Sequence, residues 1–411
     1  MNYQQTLDYL FSTLPMYQRI GAQAYKKDLT NTLKLCELLG QPHQKFKSVH
    51  IAGTNGKGSS AHMLAAILQV AGYTTGLYTS PHLKSFTERI KINGVEIEEE
   101  AVVRFVSNNR RHLESIKPSF FETTVAMAFD YFAVKGVDIA IIETGLGGRL
   151  DSTNVITPLV SLITNIGYDH QQMLGETLAE IAGEKAGIIK KRVPVVISER
   201  QDDIADVFIR KADAEDAPII FASEEIDDER VSAYELDLKG MYQYNNVRGV
   251  LQVINELRTV GYDIAPESIK EGIENTIKLT GLKGRWQTLG TSPLTLCDTA
   301  HNAEGVQVVF DQIKTLAYTK LHIVWGMVND KDISKVLLLL PKEAQYYFCK
   351  PNVPRGLDAT LLFERASALG LRGTVIDDVC EAIEMAKKSA SRNDMIYIGG
   401  STFVVAEIPD L

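Results

Sequence analysis

Two successive runs of alternating strand and helix patterning predict an α/β protein. The first run reads as a phosphate-loop ATPase domain with a mostly parallel sheet, residues 1–280, and the second as a smaller Rossmann-like α/β domain, residues 281–411. Three observations carry this. An apolar strand, Val49–Ala52, runs through Gly53-Thr54-Asn55-Gly56-Lys57-Gly58-Ser59 into a helix. Later apolar strands each end on polar residues, as the ligand rim of a parallel sheet does. A glycine-rich basic stretch, Leu279–Arg285, follows a helix of residues 267–278, and beyond it the alternation restarts.

Length and composition agree with two domains. A chain of 411 residues exceeds one ordinary core, and 45% hydrophobic with 23% charged residues is globular composition. A net charge of −9 disfavours general binding to nucleic acid or an anionic membrane. Cys36, Cys297, Cys349 and Cys380 form no Cys-x-x-Cys pair, so neither zinc nor a disulfide framework is indicated, and buried thiols are expected. Met1–Gln5 lacks the basic and apolar regions of a leader, and no apolar run reaches membrane-spanning length, so a cytosolic protein is expected.

Taken in order, residues 1–47 read as a helical lead-in, with Leu7, Leu10 and Phe11 on one face and Leu29, Leu33, Cys36, Leu38 and Leu39 recurring before Gly40-Gln41-Pro42. Its segment Tyr17–Tyr25 fits a ligand-cleft lining or a surface loop equally well. The glycines of residues 53–58 let the backbone turn its N–H groups inward. Lys57 adds a point cation, and Ser59 brings a hydroxyl within reach of Mg²⁺ at the positive end of the next helix. Ala61, Leu64, Ala65, Leu68 and Ala71 give that helix its face, and Gly72 stops it.

A strand over Thr74–Thr79 closes on Ser80-Pro81-His82-Leu83, where Ser80 is either a group for the same metal or phosphate region or a turn-forming serine. Asn93-Gly94 marks a hairpin turn. A helix from Phe120 precedes the strand Val137–Ile142, which ends on Glu143, a second Mg²⁺ anchor or a helix-capping carboxylate. The glycine-rich Thr144–Asp151 follows. Strand Leu159–Ile166 delivers His170, a metal-ligand candidate or a satisfied polar histidine. A helix with Leu178, Ile181, Ala182 and Ile188 on one side carries Glu184 and Lys185; beside Ala186 and Gly187, Lys185 is either a buried lysine open to reaction with CO₂ or to phosphate work, or a surface or ion-paired lysine, which residue type favours.

Strands Val193–Ile197 and Pro218–Phe221 enclose the helix Ile204–Lys211, and Glu224–Glu229 reads as a solvated acidic loop. Asn246 opens a helix through Val250, Ile254 and Leu257, as N-cap or adenine contact. The second domain offers strands at Leu294–Cys297, Leu321–Trp325, Tyr346–Cys349, Gly373–Ile376 and Met395–Ile398. A helix covers residues 303–317, and Asp298-Thr299-Ala300-His301-Asn302 forms the polar end of its first strand.

A standard phosphate loop has glycine five positions before the Gly-Lys pair, where this chain has Ile51. The loop His50–Ser59, Tyr78–Leu83, Ile141–Asp151 and Ala182–Ile188 together resemble the folylpolyglutamate synthases and bifunctional dihydrofolate synthases of the Mur ligase superfamily, over nearly the whole length. The Glu143 stretch is the most specific of these. The resemblance implies an ATP-dependent, ADP-forming ligase that phosphorylates a folate or dihydropteroate carboxylate and lets L-glutamate displace the phosphate.

It further implies that Gly53, Thr54, Asn55, Gly56, Lys57, Gly58 and Ser59 hold the ATP phosphates, with Asn246 and Arg285 on the nucleotide. Ser59, Ser80, Glu143 and His170 would bind two Mg²⁺ ions. Lys57, a carbamylated Lys185, Asp298 and His301 would carry the chemistry, and the pterin would enter near Phe120, Phe121 and Glu122. A monomer is expected. The family pattern at the second-domain pair is Asp-Gly-Ala-His-Asn-Pro, and this chain has Thr299 and Ala303 at the glycine and proline positions, which bears on loop geometry more than on charge. A Mur-type ligase of UDP-sugar-peptides, which the Tyr-Thr-Ser-Pro-His-Leu stretch counts against, and a phosphate-loop kinase or NTPase are the alternatives.

Overall fold

A computed structural model of the chain describes residues 1–15, 28–329, 333–409 and 411. Tyr17–Tyr25, expected as a cleft lining or loop, falls outside them. The chain divides into two compact units, one of Met1–Gly167, Gln171–Asp237 and Gln243–Leu282, the other of Tyr168–His170, Leu238–Tyr242 and Lys283–Leu411.

The first unit opens with two helices, α1 (Tyr3–Thr13) and α2 (Thr30–Leu38), as the lead-in pattern expects. Its eight-stranded sheet has the order β4-β3-β2-β5-β1-β6-β7-β8. The strands are β1 (Lys47–Ala52), β2 (Thr75–Tyr78), β3 (Ile90–Ile92), β4 (Val95–Glu96), β5 (Ile139–Glu143), β6 (Val160–Ile163), β7 (Val195–Ile197) and β8 (Ile219–Phe221). From β2 across to β8 every pairing is parallel, and at the other edge both the β2–β3 and the β3–β4 pairings are antiparallel.

That pattern follows from composition. β5 and β6 are buried throughout, as strands covered on both faces must be, and their residues are almost all apolar. The β3–β4 hairpin turns at Asn93 and Gly94, whose φ angles of 48° and 76° are the left-handed values such a turn needs.

Helix α3 (Lys57–Val70) buries every residue from Ser59 to Leu68, which explains its near-continuous apolar sequence. Each large side chain there contributes about 1.5–3 kcal/mol by leaving water. Helices α4 (Glu99–Ile116) and α5 (Phe120–Lys135) join α1 and α2 around a core holding Leu10, Leu35, Phe105, Phe129 and Phe132. On the β6–β8 side, α6 (Leu178–Ala186) and α7 (Asp202–Ala214) cover a second cluster with Ile181, Ile197 and Phe208. The unit also contains α8 (Gln243–Thr259) and α9 (Pro266–Glu274), besides shorter helical turns.

The second unit has a six-stranded sheet of order β13-β12-β11-β14-β10-β9, parallel except for the β9–β10 pair. Its strands are β9 (Gln287–Thr291), β10 (Leu294–Cys297), β11 (Leu321–Trp325), β12 (Gln345–Phe348), β13 (Arg372–Val375) and β14 (Met395–Gly399). Helices α10 (Ala303–Ile313), α11 (Ala359–Ala368) and α12 (Val379–Ser389) pack on it. Phe310, Trp325, Tyr346, Phe348 and Tyr397 fill its core.

Several expectations are corrected. The helix of residues 267–278 breaks at Asn275, beyond which a separate short helix, Thr276–Thr280, begins. The helix from residue 303 ends at Ile313. Strand β9 was not anticipated, because its residues are half-buried or exposed and show no apolar alternation. The acidic stretch of residues 224–229 is partly helical, with Asp227 capping Asp228–Ser232. Three of the four cysteine thiols are buried; Cys380 is half-buried and donates to the Glu407 carbonyl at 3.4 Å.

Candidate active site

The phosphate-loop region is built from backbone. β1 lies between β5 and β6, and its end is held by the polar end of β6. Asn55 donates its amide to Asn165 Oδ1 at 2.8 Å, Thr54 its amide to the Asn165 carbonyl at 2.8 Å, and Thr164 Oγ1 donates to the Asn55 carbonyl at 2.6 Å. These contacts leave no room for side chains at two positions. A Cβ on Gly53 would sit 1.8 Å from Thr164 Oγ1, and one on Gly56 2.1 Å from Asn246 Oδ1. Glycine also supplies the φ of 89° at Gly56, the N-cap of α3.

Lys57, half-buried, folds back on this loop, donating to the carbonyls of Gly53 at 3.2 Å and Thr54 at 3.3 Å. Ser59 is buried, and its hydroxyl accepts from Gln243 Nε2 at 3.1 Å. Gln243 Oε1 in turn accepts from Asn246 Nδ2 at 2.7 Å. α8 begins at Gln243, so Asn246 lies inside its first turn rather than at its N-cap, buried against Gly56.

A parallel register sets Glu143 opposite Ile51, level with the start of the loop. Glu143 is buried, and its Oε2 accepts the Ser80 amide at 3.1 Å, so two of the expected metal residues meet directly. The Ser80 loop is anchored by Arg89, a buried residue that donates from Nε to His82 Nδ1 at 2.7 Å and places its guanidinium 5.3 Å above the Phe120 ring. Burial, with Arg89 adding to it, pushes His82 down to about 3. Phe120 is thereby packed into the core, and Glu122 closes the capping box of α5 with Ser119. Phe121 stays half-buried, 6.3 Å from the Tyr78 ring.

The stretch after β5 docks on the end of α6. Arg149 donates its amide to the Glu184 carbonyl at 2.7 Å and pairs its guanidinium with the Glu184 carboxylate at 2.7 Å. Asp151, buried, accepts from the Leu146 amide at 2.8 Å and from Thr153 Oγ1 at 2.5 Å. Thr153 Oγ1 is 2.8 Å from Nε2 of His50, a fully buried β1 residue. Burial raises the Asp151 carboxyl and lowers His50 to about 3. Lys185 is buried and donates from Nζ to the Gly53 carbonyl at 2.8 Å, correcting the surface reading that its residue type favoured. Lys57 and Lys185 therefore place two ammonium groups on one carbonyl oxygen.

In the second unit Asp298 ends β10, buried, and accepts from the Tyr242 hydroxyl at 2.7 Å, the Trp286 amide at 2.7 Å and the Ala300 amide at 2.8 Å. Burial raises its carboxyl, against the pull of Arg285, and burial beside Asp298 holds the Tyr242 hydroxyl well above its ordinary value. Tyr242 thus remains a donor. His301 points Nδ1 at the Thr299 carbonyl, 2.9 Å away, and Nε2 at Asp169 Oδ2, 3.4 Å away. Asp169 Oδ1 also accepts the His170 amide at 2.9 Å. Thr299 and Ala303 are both accommodated: Thr299 is not among the residues of positive φ, and Ala303 begins α10 behind the N-cap Asn302.

Of the residues singled out from sequence, the first unit gathers Gly53 to Ser59, Lys185 and Asn246 at one loop, and Ser80 with Glu143. The second unit contains His170, Arg285, Asp298 and His301. Asp169, Tyr242, Gln243, Arg89 and the Thr164-Asn165 pair escaped sequence reasoning, and Thr299 was noted only as a departure in loop geometry. Only Thr164-Asn165, a polar strand end beside the loop strand, carried a visible signal. Among the described residues no three His, Cys, Asp or Glu side chains form a metal-binding group, and no helix is long and apolar enough to cross a membrane.

Two families of Mur ligase domain match this chain, the Mur ligase middle domain over residues 51–253 and the Mur ligase glutamate ligase domain over residues 284–402. The dihydrofolate synthase/folylpolyglutamate synthase of Bacillus subtilis is 33% identical over 93% of this chain and 94% of its own length. A probable bifunctional folylpolyglutamate synthase/dihydropteroate synthase of Haloferax volcanii is 32% identical over 99% of this chain, which spans only 50% of that protein. The structure of Escherichia coli FolC in complex with DHPP and ADP superposes with a TM-score of 0.88 at 27% identity, covering 99% of this chain and 97% of FolC. The chain belongs to the folylpolyglutamate synthase/dihydrofolate synthase family of Mur ligases.

Proposed function

We propose that this protein is an ATP-dependent ligase that adds L-glutamate to dihydropteroate, reduced folates or both, extending polyglutamate chains and releasing ADP and phosphate. The observation that carries the reading is the convergence of Lys57 and Lys185 on the Gly53 carbonyl, at a glycine loop level with the Glu143–Ser80 contact. A carboxylate is a poor acylating agent. Transfer of the γ-phosphoryl group to it gives an acyl phosphate, which the glutamate amine attacks with loss of phosphate, so no protein nucleophile is required.

In this scheme the loop amides and Lys57 hold the phosphates, and Asn246 and Arg285 contact the nucleotide. Ser59, Ser80, Glu143 and His170 would hold Mg²⁺; the hydroxyls and the buried Glu143 carboxylate are the hard oxygen donors that ion prefers, and His170 would add a nitrogen. Magnesium, when bound, neutralises phosphate charge. Lys185 as a carbamate turns a like-charged pair at Gly53 into an attractive one while keeping an N–H for the carbonyl. The pterin would enter near Phe120, Phe121 and Glu122, of which Phe120 and Glu122 are buried and Phe121 half-buried. Residues 1–280 would serve ATP and folate, and residues 281–411, with Asp298 and His301, would serve glutamate. A cytoplasmic monomer contains every group named.

The test is ADP release by the purified chain with dihydropteroate and, separately, tetrahydrofolate, each with and without L-glutamate. Glutamate-dependent release with at least one acceptor is expected. Release indifferent to glutamate would replace this reading with that of an NTPase.

A further inference from the structure

One residue of the second unit ties together the groups around Asp298. Thr299 donates its amide to the Gly284 carbonyl at 3.1 Å, accepts His301 Nδ1 on its carbonyl at 2.9 Å, and accepts Arg285 Nη1 on its hydroxyl. Arg285 Nη1 also reaches the Gly284 carbonyl at 3.2 Å, and Gly284 donates its own amide to Gln287 Oε1 at 2.8 Å. Thr299 is buried and Arg285 half-buried. The amide and carbonyl contacts are open to any residue but proline, including the glycine that the resemblance expects here. The hydroxyl contact is not.

A guanidinium on a flexible stem recognises an anion well only when its planar fork is held in the right orientation. Gly284 alone gives Nη1 one anchor on its own neighbouring residue. The Thr299 hydroxyl adds a second, from a buried side chain on the other side of the β9–β10 hairpin. We infer that Thr299 is a positioning residue, whose hydroxyl presets Arg285 for the nucleotide. This rests on the proposed nucleotide role of Arg285 and deepens it, because it explains how this chain tolerates threonine in place of glycine and what it gains. The gain is preorganisation, so it should show in nucleotide affinity more than in the rate of the bound complex.

The experiment titrates ADP into the full chain by calorimetry and measures KM for ATP in glutamate-dependent ADP release. Thr299→Val removes the hydroxyl at nearly constant shape. It should weaken ADP binding and raise KM for ATP by about three- to tenfold, with a smaller change in kcat. Thr299→Ser should retain near wild-type affinity, and Thr299→Gly, which carries the test if valine disturbs packing, should weaken binding as valine does. Arg285→Ala should lose more, and the double variant Thr299→Val with Arg285→Ala should bind no more weakly than Arg285→Ala alone. Unchanged ADP affinity in both Thr299→Val and Thr299→Gly would overturn the inference. Losses that multiply in the double variant would overturn it too, since they would mean that Thr299 acts through the loop rather than through Arg285. If the wild-type chain itself fails to bind ADP, the ligase reading fails instead.

Discussion

The rim of the first unit and the strand end of the second are built by opposite means. Around Gly53–Ser59 the working surface is backbone, shaped by glycines that admit Thr164 and Asn246 at distances no Cβ would allow. Around Asp298 it is a side chain, a buried carboxylate held by the Tyr242 hydroxyl and by the backbone amides of Trp286 and Ala300. A backbone site tolerates change at its neighbours but not within the loop. A side-chain site spreads its dependence over residues that are distant in sequence.

The largest effect expected is at the backbone-built rim. Lys57→Ala should cut ligation by about 10³-fold while leaving the melting temperature nearly unchanged, because the ammonium acts on phosphate and, among the described residues, hydrogen-bonds to loop carbonyls. Turnover near wild type would remove the phosphate-loop assignment.

Next comes Lys185. Lys185→Ala and Lys185→Arg should each lose about 10²- to 10³-fold, since arginine keeps a positive charge and cannot form a carbamate. Partial rescue of the alanine variant by a small carboxylic acid would mark the missing group as an anion. Full activity in Lys185→Arg would show that a cation suffices, and the carbamate would be dropped.

Glu143→Ala and His170→Ala test whether both units serve the metal. Each should raise the Mg²⁺ concentration for half-maximal activity by about 10- to 100-fold. If only Glu143→Ala shifts it, the metal belongs to the first unit alone.

The smallest effect concerns stability. Unfolded His50 takes up a proton below its ordinary 6.5, whereas the buried ring stays neutral until about 3. Stability therefore falls as pH drops from 6.5 towards 3, by up to about 1.4 kcal/mol per pH unit from this group. His50→Gln should flatten that slope in urea titrations across the range, and an unchanged slope would place the acid sensitivity elsewhere, with His82 the next residue to replace.

Much of the first unit was legible because its determinants are local. The buried strands are continuous apolar runs, the loop is written in glycine, and Asn93-Gly94 marks its own turn. Lys185 was misjudged from residue type, although the spacing Leu178, Ile181, Lys185 already sets it on the apolar stripe of α6. The second site was legible only through resemblance. Tyr242 and Asp298 meet across 56 residues, and nothing near Tyr242 announces a partner. The half-exposed β9 hid for the converse reason, since a strand with little to bury leaves little periodicity.

The segment Leu238–Tyr242 has a consequence for how this protein can be taken apart. Besides Tyr242 on Asp298, Met241 donates its amide to Gln312 Oε1 at 2.7 Å, and Gln312 Nε2 returns to the Lys239 carbonyl at 2.9 Å. A fragment cut to begin at Lys283 would keep all six strands of the second sheet yet strip a hydroxyl from a buried carboxylate and both partners from Gln312. The unit is compact in space but not separable by a single scissor stroke. Recombination that exchanged the carboxyl-terminal third alone would transplant a strand end without its stitch.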